Sequence, residues 1–189
     1  MLESNTIVQR PTFTSHLECS QTCKHYPADQ LHGLSETGKP LLVRYDMAAL
    51  SIALTKQMLK SREYDLWRYR EFLPVRSNTN IVSLGEIMTP LIPLRKSLRS
   101  AGEERVLVKD EGRLPTGSFK ARGLSLAVSM AKELGIKRMA IPTNGNAGAA
   151  LAAYSSRAGI EAFVFCPEDT PEVNVREIAL QGAKVWRVN

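Results

Sequence analysis

The sequence predicts an α/β fold: an open parallel sheet with flanking helices, incomplete, and preceded by an irregular N-terminal extension. Three observations carry this expectation. Short β-rich runs at 105–109, 138–141, 161–166 and 184–188 alternate with helical patterns at 118–134, 146–158 and 172–181. Each helical pattern is long enough for a right-handed crossover, which makes successive strands parallel neighbours. Apolar residues form 43% and charged residues 23% of the chain, a balance that supports a buried core and excludes disorder as a global description.

Taken in order, residues 1–45 mix Pro, Gly, His and Thr without a sustained period and read as an extended arm with short strands. From Asp46 the spacing Met47, Leu50, Leu54, Met58 predicts a helix to about Lys60, with Asp46 as N-cap. A second helix is expected at 62–72, ending before Pro74, and the stretch 75–97 with Pro90 and Pro93 reads as a connector. The organisation is therefore an extension at 1–45, a helical and connector segment at 46–104, and a partial α/β domain at 105–189. The chain stops on its fourth expected strand, where a doubly wound domain adds another helix, so it reads as the N-terminal piece of something longer or as a truncated paralogue. At 189 residues it is too short for two full catalytic lobes.

The net charge of +6 favours anionic partners without choosing among them. Basic residues are spread along the chain with no aromatic-basic pattern, so nucleic acid is not an expected partner. No apolar run approaches the length of a membrane helix, and the first twenty residues lack the apolar region of a secretory signal. Three cysteines do not make a disulfide framework, and with no address visible the expected location is the cytoplasm.

Ligands of open parallel sheets bind at the carboxyl ends of strands, where helices present unpaired N–H groups. Two strand-to-helix loops there stand out, residues 109–120 and 142–148. On its helix Lys120 shares a stripe with Leu124, Ala127, Ala131 and Leu134, while Arg122, Ser125, Ser129 and Glu133 fall opposite. A lysine aimed into a core at a helix N-terminus is pushed toward the neutral amine that Schiff-base chemistry needs. By spacing alone, the commoner outcome is that such a first-turn lysine snorkels outward past the stripe. The second loop carries Gly145, Ala147, Gly148, Ala149 and Ala150, small residues that let the backbone approach an anion such as a carboxylate. The pattern fits close helix-on-sheet packing capped by Asn146 just as well.

The run Leu-Val-Lys-Asp-Glu-Gly-Arg-Leu-Pro-Thr-Gly-Ser-Phe-Lys-Ala-Arg-Gly at 107–123 resembles the lysine motif of fold type II pyridoxal-phosphate enzymes, the tryptophan synthase β-like fold. Pro-Thr-Asn-Gly-Asn-Ala-Gly-Ala-Ala at 142–150 resembles their substrate loop. Within that superfamily the chain is most similar to the threonine synthase family, through Leu-Leu-Val-Arg-Tyr-Asp at 41–46, Leu-Gly-Glu-Ile-Met-Thr-Pro-Leu at 84–91 and Cys-Pro-Glu-Asp-Thr-Pro at 166–171. The resemblance runs from about residue 17 to the end. It implies that pyridoxal 5'-phosphate is the cofactor, held as a Schiff base on the catalytic Lys120, with Phe119 near its ring and Asn146 bonded to its phenolic oxygen. Thr143, Asn144, Gly145 and Ala147 would surround the substrate carboxylate. The implied reaction is a lyase-type conversion of O-phosphohomoserine and water to threonine and phosphate, in a homodimer when full length.

The chain departs from the family at Ile87, where a Gly usually follows Gly-Glu, and at Ala147, where many relatives have Thr or His. The family's phosphate loop and its partner for the pyridine nitrogen lie downstream of residue 189, so the piece alone is expected to be inactive. Two other functions share these residues: a threonine/serine dehydratase or diaminopropionate ammonia-lyase, and a non-catalytic paralogue acting as a binding or assembly module. Some relatives carry a zinc ribbon of two Cys pairs. Here Cys19-x3-Cys23 stands alone with His16, His25 and His32 scattered nearby, and no metal is assigned. Cys166, ending an apolar strand, reads as a packed thiol.

Overall fold

The computed structural model describes residues 11–94 and 106–189, and the expected features at 1–10 and 95–105 lie outside the described residues. The N-terminal arm is a three-stranded antiparallel sheet in the order β2-β1-β3, built from β1 (Thr14–Cys19), β2 (His25–Tyr26) and β3 (Leu41–Tyr45). It is tied to the helical segment by Asp46 N–H donating to Phe13 O and Phe13 N–H to Glu71 O, both at 2.9 Å.

The single helix expected from 46 to 60 is two. α1 (Met47–Ala53) starts where Asp46 accepts from Ala49 N–H at 2.9 Å, as its sequence suggested. Leu54 then turns extended, and the Thr55 hydroxyl accepts from Met58 N–H to cap α2 (Lys56–Lys60). The local side-chain cap competes with helix continuation and wins, because little tertiary packing opposes it: α2 buries no residue. The helix expected at 62–72 is a 3-10 segment, Leu66–Phe72, interrupted at Tyr69. Its shape follows a buried ion pair, in which Arg62 grips Glu71 through two bonds of 2.7 and 2.6 Å and also donates to Arg68 O.

Among the described residues the parallel sheet has three strands where four were expected. β4 (Leu91–Pro93) and β5 (Leu107–Lys109) form a separate antiparallel pair, so the run at the lysine loop's start leaves the series. α3 (Lys120–Glu133) leads through a Gly135 turn into β6 (Arg138–Pro142), α4 (Asn146–Ala158), β7 (Glu161–Pro167), α5 (Glu172–Leu180) and β8 (Lys184–Val188). The strands run parallel in the order β6-β7-β8. Alternation along β7 sends Ala162, Val164 and Cys166 into the core under α4 and α5. Phe163 and Phe165 lie on the other face, stacked with Trp186 at 5.8 and 5.4 Å. Leu151, Tyr154, Val164 and Ile178 anchor the core, each apolar side chain contributing about 1.5–3 kcal/mol by burial. Cys166 is a buried free thiol in that cluster, as its strand pattern suggested. No helix among the described residues is long and apolar enough to cross a membrane.

Helix α3 corrects the stripe inferred from periodicity. Ser125 and Ser129, assigned to the polar face, are fully buried, whereas Ala127 is exposed and Leu124 half-buried. The connector explains the reversal. Ser125 Oγ donates to Val82 O and Val82 N–H donates to Ser129 Oγ, both at 2.8 Å, so the connector lies against the serine side of α3. Glu133 extends the seam by accepting from Arg76 N–H, Ser77 N–H and Asn80 Nδ2. A hydroxyl whose bonds are met inside the fold is no obstacle to burial.

Candidate active site

Both loops singled out in the sequence open onto one end of the parallel sheet. The Gly135 turn folds α3 back against the direction of β6, and the 143–145 loop does the same for α4, so Lys120 and Asn146 each start a helix at the carboxyl edge of β6. The two helices pack side by side, and the 115–117 turn rests on both.

The lysine loop is held by charge. Glu111 receives Arg122 Nε at 2.7 Å and Nη2 at 3.0 Å, and accepts a further bond from the Thr89 hydroxyl. Lys109 Nζ donates to Thr89 Oγ1 at 2.7 Å and stands 3.5 Å from Glu111. Arg122, through its hydrogen bonds, holds the Glu111 carboxyl down at about 2 against the opposing effect of burial, and Thr89 and Lys109 add to it. Arg122 also donates to Ile87 O at 3.2 Å, joining the Gly-Glu-Ile-Met-Thr-Pro segment to α3. One step earlier in that segment, Glu86 is fully buried and accepts from Ser83 Oγ, Leu84 N–H and Tyr154 Oη. Burial first, and then the bond to Glu86, push the Tyr154 hydroxyl far above its ordinary range.

Between these anchors the chain turns sharply. Thr116 adopts φ +63°, uncommon for a β-branched residue, and its hydroxyl is buried without a hydrogen-bond partner. Lys120 is half-buried at the first turn of α3, with its ammonium 4.6 Å above the ring of Phe119, and Phe119 itself is exposed. Lys120 therefore lies beside the buried stripe at the open end of the helix.

The second loop is held by close approach. Gly145, not Asn146, is the N-cap of α4, with φ +152° and ψ −92°, and a Cβ there would lie 2.6 Å from Asn174 Nδ2. A Cβ on Gly148 would lie 2.6 Å from Thr143 Cγ2 and 2.8 Å from Val164 Cγ1. Asn146 is exposed, so the capping role considered for it passes to its neighbour's backbone. Thr143 Oγ1 accepts from Gly145 N–H at 3.1 Å, and Asn144 O accepts from Asn174 Nδ2. Thr143 and Ala147 are half-buried, Asn144 is exposed and Gly145 is buried. The first intrahelical bond of α4 is Ala149 N–H to Gly145 O, which leaves the N–H groups of Asn146, Ala147 and Gly148 ahead of the ladder.

These residues suit a phosphorylated pyridine aldehyde: a lysine free of any carboxylate partner among the described residues, an orphaned hydroxyl at Thr116, and a helix start with N–H groups to spare. Around Lys120 and the small-residue loop lie two clasps that the sequence pattern did not predict, Glu111–Arg122–Thr89 and Glu86–Tyr154. Glu111 and Arg122 stand as opposite charges eleven residues apart within the 107–123 run, whereas Glu86 and Tyr154 carry no such signal.

Comparison with known proteins agrees with this geometry. Residues 82–189, more than half of the chain, match the family described as pyridoxal-phosphate dependent enzyme. The chain is 37% identical over 171 residues to a threonine synthase from Methanocaldococcus jannaschii, covering 90% of this chain and 42% of that protein. It is 48% identical over 101 residues to a threonine synthase from Synechocystis, covering 53% of this chain and 26% of that one. The chain thus spans about two-fifths of the first relative's length. A diaminopropionate ammonia lyase from Escherichia coli shares the fold with a TM-score of 0.52 at 22% identity, over 59% of this chain and 34% of that one. A lysine loop and a glycine-rich helix start at one sheet edge, set in a matching sequence of this extent, mean that the chain belongs to the pyridoxal-phosphate dependent enzyme family, whose cofactor is pyridoxal phosphate.

Proposed function

We propose that the protein to which this chain belongs is a threonine synthase, releasing phosphate from O-phosphohomoserine and adding water to give threonine. The observation that carries the reading is the shared placement of Lys120 and Asn146 at helix starts on one edge of the sheet. Similarity to threonine synthases over nine-tenths of the chain supports it.

When bound, pyridoxal phosphate supplies an electron sink for the carbanion chemistry. The chain's own residues do the rest. Lys120 Nζ would hold the cofactor, and the same amine, at the open end of α3, would take and return a proton at the substrate carbon. Phe119 would pack beside the cofactor ring, and Asn146 would donate a hydrogen bond to its phenolic oxygen. The N–H groups at the start of α4, with Thr143, Asn144, Gly145 and Ala147, bind the substrate carboxylate, aided by the positive end of the helix. The Glu111–Arg122 clasp keeps the lysine loop in one geometry, which matters because small misplacements of reacting groups cost orders of magnitude in rate. The remaining parts of the reading are a homodimer, a cytoplasmic location and a requirement for sequence beyond residue 189.

Borohydride reduction of the cofactor-loaded whole protein, followed by peptide mapping, should place the pyridoxyl group on Lys120. A label on another lysine overturns the assignment. Phosphate release from O-phosphohomoserine should be faster than deamination of threonine or serine. Faster deamination makes the protein a dehydratase or ammonia-lyase, and no turnover on any of the three makes it a binding or assembly module. Lys120→Ala should abolish turnover, and Asn146→Ala should lower it while leaving the pyridoxyl label in place.

A further inference from the structure

The N-terminal sheet contains a group of side chains that the active site does not use. His16 and Glu18 are two apart on β1 and so share one face of the sheet. His25 on β2 is the cross-strand partner of Glu18, which brings it to the same face. The ligand atoms of the three lie within 4.8 Å of one another. Glu18 Oε2 is 3.6 Å from His25 Nε2 and 3.9 Å from His16 Nε2. Ligands of a tetrahedral ion at zinc bond lengths stand about 3.4 Å apart, so small side-chain movements would close the set.

From this geometry we infer a divalent transition-metal site, of the zinc class, formed by His16, Glu18 and His25 with a position left for water. Two imidazoles and one carboxylate are a donor set suited to zinc. His16 Nε2 is buried and has no hydrogen-bond partner, while its Nδ1 is engaged by Ser15 Oγ at 2.9 Å. That is the arrangement in which an outer partner fixes a histidine and leaves its second nitrogen for a metal. The Glu18 carboxylate is divided in the same way. Arg44 takes Oε1 through Nε at 3.1 Å and Nη2 at 2.5 Å, leaving Oε2 toward the histidines. The Arg44 guanidinium weakens attraction for a dication, but by gripping Oε1 it fixes the carboxylate with Oε2 turned toward the histidines. The two rings lie 3.9 Å apart, and His25, the more exposed of them, has room to swing and open the angle.

The neighbouring cysteines do not join the set. Cys19 points to the other face, buried against Ser35 Oγ at 3.2 Å and receiving N–H groups from Gln21 and Thr22. Cys23 is exposed in the hairpin turn at φ +56°. The third histidine, His32, is bonded to Pro27 O at 2.8 Å. A metal held as inferred would bridge β1 to the two-residue strand β2 and stabilise the pairing only when bound.

The test is equilibrium dialysis of the full chain, stripped with a chelator, against Zn2+, with Co2+ absorption as a second readout. The expected result is one equivalent of zinc, a tetrahedral or five-coordinate cobalt spectrum without a thiolate charge-transfer band, and a loss of at least about tenfold in affinity for His16→Gln and for His25→Gln. His25→Gln is at an exposed side chain, and unchanged far-ultraviolet circular dichroism would show that its loss of metal is not a loss of fold. Cys19→Ser and Cys23→Ser should retain binding. No binding, or binding that survives both histidine substitutions, or binding that either cysteine substitution abolishes, overturns the inference.

Discussion

The loops that begin α3 and α4 share one end of the sheet but are fixed by opposite means. The lysine loop is bulky and charged: Glu111, Arg122, Lys109 and Thr89 hold it by directed bonds that bridge residues far apart in sequence. The loop before Asn146 has few side chains, and it is fixed because Gly145 and Gly148 leave no space to be moved into. A charged clasp fixes direction and can be loosened by protonation, whereas close packing is indifferent to pH and intolerant of volume. A site that must anchor a reactive lysine and also bring a backbone up to an anion has use for both.

The largest expected effect tests the packed loop. Gly148→Val should destabilise the chain by about 3 kcal/mol, because its Cβ alone would overlap Thr143 Cγ2 and Val164 Cγ1 and the branched methyls enlarge the clash. Gly148→Ala should cost less, about 1–2 kcal/mol, since an alanine in a helix interior recovers roughly 1 kcal/mol of propensity. Urea melts read this as a lowered midpoint at constant slope. A Gly148→Val midpoint equal to that of the parent chain would mean that the loop is not close-packed, and the contrast between the loops would fail.

Next comes the charged loop. Arg122→Ala should cost about 2 kcal/mol, by leaving the largely buried Glu111 carboxylate without its strongest partner. Arg122→Lys should restore less than half of this, because an ammonium cannot make the paired Nε and Nη2 bonds. Full rescue by lysine would show that only net charge matters here. In the cofactor-loaded whole protein, Arg122→Lys should lower turnover more than it lowers stability, if the clasp orients Lys120 as proposed.

The same contrast governs what could be read from the sequence. α4 and β8 were legible to their end residues, since Asn146–Ala158 and Lys184–Val188 are continuous patterns whose burial partners are nearby in the chain. The placement of Lys120 in the first turn of its helix was legible too. The buried face of α3 was not, because periodicity counts serine as polar, and whether Ser125 and Ser129 can be buried depends on the Val82 backbone more than forty residues earlier. β5 misled for a related reason: three residues of Leu-Val-Lys look alike in a parallel series and in an antiparallel pair, and the choice was made by β4 across the chain. The His16–Glu18–His25 group was invisible for want of the β1–β2 register that places His25 opposite Glu18.

The smallest expected effect separates the loops by pH. Glu111 in the folded chain sits near 2 where its ordinary value is 4.5, lowered first by its bonds to Arg122. A carboxylate depressed by folding contributes stability that is fully present above the unfolded value and disappears as pH falls through the folded one. The difference in unfolding free energy between the parent chain and Glu111→Gln should therefore be constant from pH 7 to 5 and shrink from about 4.5 toward 2. Glu18, Glu71 and Glu161 are also held below their ordinary range, so both proteins lose stability in acid, but these carboxylates are common to the pair and cancel in the difference. The difference between the parent chain and Gly148→Val should stay flat over the same window, since no titrating group touches the added methyls. If the Glu111→Gln difference were also flat, Arg122 would be acting on Glu111 through packing of its stem and not through charge, and the two loops would be fixed by the same means after all.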